Sequence, residues 1–261
     1  LRPVLAGELE KNGMERLYRE IEFPLCRVLY RMENRGICID REQLRQFGDM
    51  LSRRVSDCET LIFSYSGGEF NINSTRQLGE LLFEKLGLPP VKKTKTGYST
   101  NAEILEKLRY DHPAVELVLH YRTLTKLKST YCEGMLKVIG PDGRIHSNFN
   151  QTETRTGRIS STEPNLQNIP VRTELGRELR KFFLAKEGWV LVDADYSQIE
   201  LRVLAHIAHD ENMIKAFQDK EDIHTITASQ VFGMPPEMVT PLMRSRAKAV
   251  NFGIVYGIGA F

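Results

Sequence analysis

Residues 189–210 constrain the fold more than any other stretch: W-V-L-V-D-A-D-Y-S-Q-I-E-L-R-V-L-A-H-I-A-H-D. The apolar run 189–192 is too short for a helix and rich in β-branched residues, which predicts a buried strand. It stops before Asp195, and Ser197 opens a helical pattern through Ile199, Val203, Leu204 and Ile207. Ser197 and Glu200 have the spacing of a capping box. The stretch therefore reads as strand, carboxylate, helix, with Asp195 beside helical N–H groups that favour negative charge. Such a place suits a metal and a phosphate, but an Asp after a strand also serves as a plain turn or cap residue. The local pattern leaves both readings open.

Composition narrows the alternatives little. The formal net charge is +2 over 261 residues, so charge alone does not announce a nucleic-acid binder. Cys26, Cys38, Cys58 and Cys132 lack C-x-x-C spacing and predict reduced thiols, in keeping with a cytoplasmic protein, rather than a zinc site or disulfide frame. No apolar run approaches the ~18 residues of a membrane span, so no membrane partner is expected. The chain opens on Leu1, which suggests a piece of something longer.

Residues 1–20 are weakly patterned, as in a linker or the remnant of a preceding domain. Phe23, Leu25, Val28, Leu29 and Met32 predict a helix with Pro24 near its start and Gly36 past its end. A brief extended piece at 37–40 precedes a long helix over 41–64, closed by Gly67 and Gly68. Asn73 or Ser74 caps a helix ending at Gly87, and Thr100 with Glu103 has capping-box spacing. A long helix is predicted from Pro113 to about Val138, then a turn at 141–143 and a strand over 144–149. Lys92, Lys93 and Lys95 form one basic cluster, and Arg122, Lys126 and Lys128 another, with Arg122 and Lys126 on one helical face. They fit solvated charges or phosphate contacts equally well.

Residues 156–172, T-G-R-I-S-S-T-E-P-N-L-Q-N-I-P-V-R, are loop-like, with many donors and few apolar anchors, as backbone and groove contacts require. Further on, residues 221–233 predict a helix carrying His224. Thr240 and Pro241 open a last one. There Arg244, Lys248, Phe252 and Tyr256 recur every four residues. Successive members lie about 40° apart around the axis, forming two cations followed by two aromatics in one stripe. No Asp or Glu occurs from 240 to 261, so the cations lack local partners and invite an anion.

The octapeptide D-Y-S-Q-I-E-L-R, residues 195–202, closely resembles the first catalytic motif of the family A DNA polymerases, of which bacterial DNA polymerase I is the type. F-N-I-N-S-T-R-Q-L at 70–78 and Y-R-T-L-T-K-L-K-S-T-Y at 121–131 resemble that family's thumb. Residues 156–172 resemble its palm loop, and R-S-R-A-K-A-V-N-F-G-I-V-Y-G at 244–257 resembles its nucleotide-binding fingers helix. The resemblance implies an α+β right-hand polymerase fold, truncated: helical thumb (21–145), partial antiparallel palm sheet (146–208) and partial helical fingers (209–261).

It also implies roles. Asp195 and the Tyr196 backbone would bind metal, as part of a two-metal Mg²⁺ site. Glu200 would exclude a 2′-OH, with Gln198 and Ile199 beside the incoming deoxynucleoside triphosphate. His224, Arg244 and Lys248 would hold the triphosphate, Lys248 also donating a proton to pyrophosphate. Phe252 would stack beside the nucleotide, while Tyr256 and Gly257 close the templating-base pocket. Asn73, Ser74, Arg122, Lys126 and Lys128 would follow the primer–template backbone. Arg158, helped by Asn165, Gln167, Asn168 and Arg172, would contact its minor groove.

Asp193 departs from the family pattern and points, on a strand, to the face of Asp195 roughly 7 Å away; it assists the metal or meets solvent. His209, Asp210 and Glu211 copy the letters of the family's second catalytic motif, but they are expected to form only a helix-end loop. The second carboxylate would come from a missing C-terminal palm and fingers segment, so the chain alone is expected not to polymerise. The alternative is a non-catalytic remnant that grips duplex DNA.

Overall fold

The computed structural model describes residues 1–90, 97–171, 173–255 and 257, and the backbone alone at Lys93 and Thr94. Lys92, Lys95, Arg172 and Tyr256 lie outside the described residues. The chain divides into two compact units, Leu1–Leu191 and Val192–Phe261.

The first unit begins with α1 (Arg2–Lys11), which buries no residue. α2 (Glu15–Leu17), a π-helical turn Tyr18–Glu22 and α3 (Phe23–Arg35) follow, continuous with one another, so residues 1–20 are largely helical. Gly36 ends α3 at φ 59° and leads into β1 (Ile37–Ile39). α4 (Arg41–Ser66) starts where Asp40 accepts a bond from the Gln43 amide at 2.9 Å, and it stops at left-handed Gly67. Its buried Leu44, Phe47, Leu51, Cys58 and Ile62 share the face that meets α7.

α5 (Thr75–Gly79) and a π-helical Glu80–Lys85 precede a small antiparallel hairpin, β2 (Lys93–Thr94) and β3 (Gly97–Tyr98). α6 (Ala102–Lys107) is capped by Asn101, whose Oδ1 accepts from the Ile104 amide at 2.9 Å. The expected Thr100–Glu103 box does not form. Thr100 is buried and occupied by the Arg122 guanidinium instead.

The rod α7 (Pro113–Lys126), π-helical Leu127–Glu133 and α8 (Gly134–Val138) supplies much of the core through Val115, Val118, Leu124 and Met135. β4 (Arg144–Ile145), β5 (Asn148–Asn150), β6 (Ser160–Thr162), α9 (Glu174–Arg180) and β7 (Phe183–Leu184) complete the unit. β1 is the centre of an antiparallel sheet β4–β1–β7, pairing Ile37 with Ile145 and Cys38 with Leu184. β5 and β6 pair separately, Phe149 opposite Ser161.

Residues 189–192 do not form the expected strand. Trp189 and Val192 are 57% and 81% exposed, and no strand among the described residues pairs with them. β-Branched composition favours a pleated surface, but a strand exists only when a neighbour takes its backbone bonds.

The second unit holds α10 (Ile199–Ala208), α11 (Glu211–Gln218), α12 (Ile223–Phe232) and α13 (Pro241–Val255), with a 3₁₀ turn Pro236–Met238. Leu201, Ala216 and Ile223 make its small core, with Met213, Phe217, Ile226 and Val255 against them. The expected Ser197–Glu200 capping box is absent here too. The residue before α10 is Gln198, left-handed at φ 55° and without a side-chain cap bond. The chain turns too sharply at Gln198 for Ser197 to face the first helical amides.

Candidate functional site

In the second unit, Asp222, the N-cap of α12, organises the candidate site. Its Oδ1 accepts from the His224 amide at 3.1 Å and its Oδ2 from the Thr225 hydroxyl at 3.0 Å. Oδ2 also receives Arg244 Nε from α13, a close ion pair. Burial works against the Asp222 carboxylate, but the bonds to Arg244, Thr225 and the His224 amide outweigh it and hold its pKa below the usual range. Arg244 has no acid on its own helix, as expected. Its partner is 22 residues away, on the neighbouring helix.

His224 is 2% exposed, and burial first, then the charge of Arg244, pushes its pKa down, so it is neutral near pH 7. Asn251 Nδ2 lies 3.0 Å from His224 Nδ1. With the Asn251 amide as donor, Nδ1 is the acceptor and the ring proton sits on Nε2. The His224 and Phe252 rings are 5.9 Å apart, and Lys248 Nζ lies 5.8 Å from the Phe252 centroid. Thus His224, Arg244, Lys248 and Phe252, drawn from two helices, meet in one cluster. Asp222 and Asn251 complete it, and neither was assigned a role in the sequence. The usable signal was the lack of acids after residue 240, which required that any partner of Arg244 lie on another element.

Asp195 and Tyr196 lie in exposed coil before α10, Tyr196 being 79% exposed, and Asp193 is exposed as well. Ile199 is 42% exposed, whereas Gln198 and Glu200 are half-buried. Gln198 Oε1 is buried without a hydrogen-bond partner. No group of three or more His, Cys, Asp or Glu side chains able to hold a metal is found among the described residues. Asp193 and Asp195 are the carboxylates of this coil, and no third His, Cys, Asp or Glu joins them in a metal-holding group among the described residues. His209 is the left-handed C-cap of α10, and Asp210 caps α11 through the Met213 amide at 2.9 Å, so residues 209 and 210 are a helix-end link as expected, while Glu211 already opens α11. Gly257 is described only as a turn at φ 81°.

In the first unit, residues 156–171, which include β6, are anchored on two buried serines. Buried Ser147 and Ser161 share a 2.7 Å hydroxyl bond, and Ser147 also donates to Pro164 O at 2.7 Å. Above them Arg158, Asn165, Gln167 and Asn168 are all exposed. Asn165 Oδ1 accepts from the Gln167 amide at 2.9 Å, and Gln167 Nε2 donates to Ile159 O at 2.8 Å. The Tyr131 hydroxyl, from the helical rod, donates to Asn168 O.

The helical candidates are more mixed. Ser74 is the N-cap of α5, and Asn73 Nδ2 donates to the Tyr121 hydroxyl at 3.2 Å. Arg122 is half-buried against Thr100, and that burial lowers its pKa. Lys128 pairs with Glu133 at 3.2 Å, while Lys126 is exposed. Arg122 thus ties two elements together, leaving Lys126 the more open cation of that face.

The family model described as DNA polymerase family A matches residues 41–261. DNA polymerase I of Bacillus subtilis is 53% identical over the whole chain, which covers 30% of that protein. The thermostable DNA polymerase I of Thermus aquaticus is 54% identical over 98% of the chain and 31% of its own length. The polymerase domain of Pol1 from M. smegmatis, solved with DNA primer–template and dNTP, superposes with a TM-score of 0.89. It is 42% identical, covering 98% of this chain and 45% of that one. The chain spans about 30% of the length of the curated relatives it matches.

Proposed function

This chain belongs to DNA polymerase family A, and from that membership we propose that it serves template-directed DNA synthesis, adding deoxynucleotides to a primer. The cluster on α12 and α13 is the observation that carries the reading. Two cations, a neutral histidine with a donor at Nε2 and an aromatic ring match a triphosphate next to a base. Arg244 and Lys248 hold the phosphates, and Lys248 gives a proton to the departing pyrophosphate. His224 donates from Nε2, and Phe252 lies along the nucleotide. Glu200, with Gln198 and Ile199, is proposed to exclude a 2′-OH, and Tyr256 and Gly257 are assigned to the templating base.

The exposed amides of Asn165, Gln167 and Asn168, with Arg158 and the assigned Arg172, are proposed to contact the minor groove, whose acceptors are common to every base pair. Asn73, Ser74, Lys126 and Lys128 lie along the backbone, and Arg122 braces them through Thr100. The assignment of residues 21–145 to a thumb, 146–208 to a palm and 209–261 to fingers belongs to the same proposal.

When bound, Mg²⁺ supplies Lewis-acid stabilisation of the phosphoryl oxygens. Asp195 and the Tyr196 carbonyl would contribute part of its coordination. Primer extension with Mg²⁺ and four deoxynucleotides, using wild type and Asp195→Ala, tests this. Salt-sensitive binding of primer–template is expected. Extension abolished by Asp195→Ala would show that the chain holds a complete metal site, and absence of any primer–template binding would overturn the reading as a whole.

A further inference from the structure

Arg244 meets Asp222 through Nε alone among its described ion pairs, on the side edge of the guanidinium. The end-on edge, Nη1 with Nη2, is the one suited to bidentate contact with a phosphate. Asp222 itself is fixed before it meets Arg244, because its two oxygens are committed to the His224 amide and the Thr225 hydroxyl at the start of α12. A carboxylate this close to an anion site is electrostatically unfavourable there, so its presence calls for a compensating role.

We propose that Asp222 is a positioning residue for the phosphates of the incoming nucleotide: anchored at the N-cap of α12, it grips Arg244 by Nε and reserves the Nη1–Nη2 edge for the triphosphate. The proposal rests on the nucleotide reading of α12 and α13. It gives a sign opposite to that of plain electrostatics. Removing a negative charge beside an anion site should tighten anion binding, whereas losing the grip on Arg244 should weaken it.

Asp222→Asn is the informative variant, since Asn is as good an N-cap as Asp and preserves the start of α12. Binding of dATP with Mg²⁺, and of inorganic triphosphate, is measured calorimetrically for wild type, Asp222→Asn, Arg244→Ala and the double variant, with near-UV circular dichroism confirming each fold. The expected result is weakening of about tenfold in Asp222→Asn and no further loss when that change is added to Arg244→Ala, the non-additivity of a coupled pair. Equal or tighter binding by Asp222→Asn would overturn the positioning role alone. No dATP binding by the wild-type chain, or binding indifferent to Arg244→Ala, would sink the nucleotide reading and the role of Asp222 with it.

Discussion

Gly36 sits at φ 59°, and a Cβ added there would stand 2.7 Å from Ile145 O and 2.9 Å from the His146 ring. Both the backbone conformation and the space exclude a side chain, so Gly36→Ala should cost about 2–3 kcal/mol, read as a lowered urea midpoint. The neighbouring His146 bonds Glu33 O through Nδ1 at 2.7 Å and Asp142 Oδ2 through Nε2 at 3.1 Å. The bond to the Glu33 carbonyl, chiefly, and then the Asp142 carboxylate raise its pKa above the free value despite some burial. Stability from a raised histidine is complete below the unfolded pKa of about 6.5 and is lost as pH rises through the folded value. The stability advantage of wild type over His146→Gln should therefore shrink as pH rises above about 6.5. An advantage independent of pH would remove the imidazolium from the account.

Helix starts show what is legible in a chain at the scale of elements and what is not. The cap offered at Asn73 or Ser74 follows from residue type followed by helical periodicity, and the structure has it at Ser74. At Thr100 the same rule fails by one residue, because the buried Arg122 fork takes the threonine and Asn101 caps instead. At Ser197 it fails because the left-handed turn at Gln198 decides where α10 begins. Ser197→Ala should accordingly change stability by less than about 0.5 kcal/mol, whereas Asp210→Ala, which removes the α11 cap, should cost about 1 kcal/mol. Thermal melts of both variants would check this, and equal losses would restore the capping box. The apolar run at 189–192 misled because strand character depends on a partner that composition does not reveal. Within the candidate site, the stripe Arg244–Lys248–Phe252 was readable from spacing alone. Its pairing with Asp222 and the orientation of His224 by Asn251 depend on how two helices pack, which periodicity does not specify.

Over the whole molecule, several separate motifs stand in the order of one family, and the family model spans residues 41–261, so family and fold were legible from motif order. Exposure was less so. On α10, Val203 and Ile207 are 48% and 70% exposed, one turn apart on the outer face of the second unit. Replacing both with Ser should leave the unfolding free energy nearly unchanged, by about 0.5 kcal/mol or less for each, while reducing binding of an apolar dye. Nucleic-acid affinity should answer to the first unit: Lys126→Ala and Lys128→Ala should each reduce the salt slope of primer–template binding by about 1. An unchanged slope would remove those lysines from the backbone contacts.

The bond from the Tyr131 hydroxyl to Asn168 O has a mechanical consequence. It adds a polar tie to the apolar contacts by which Leu166 and Ile169 already moor this stretch on the core shared with the helical rod. Tyr131→Phe would slacken that mooring without cutting it, seen as faster amide exchange at Asn168 and Ile169 with the rod unaltered.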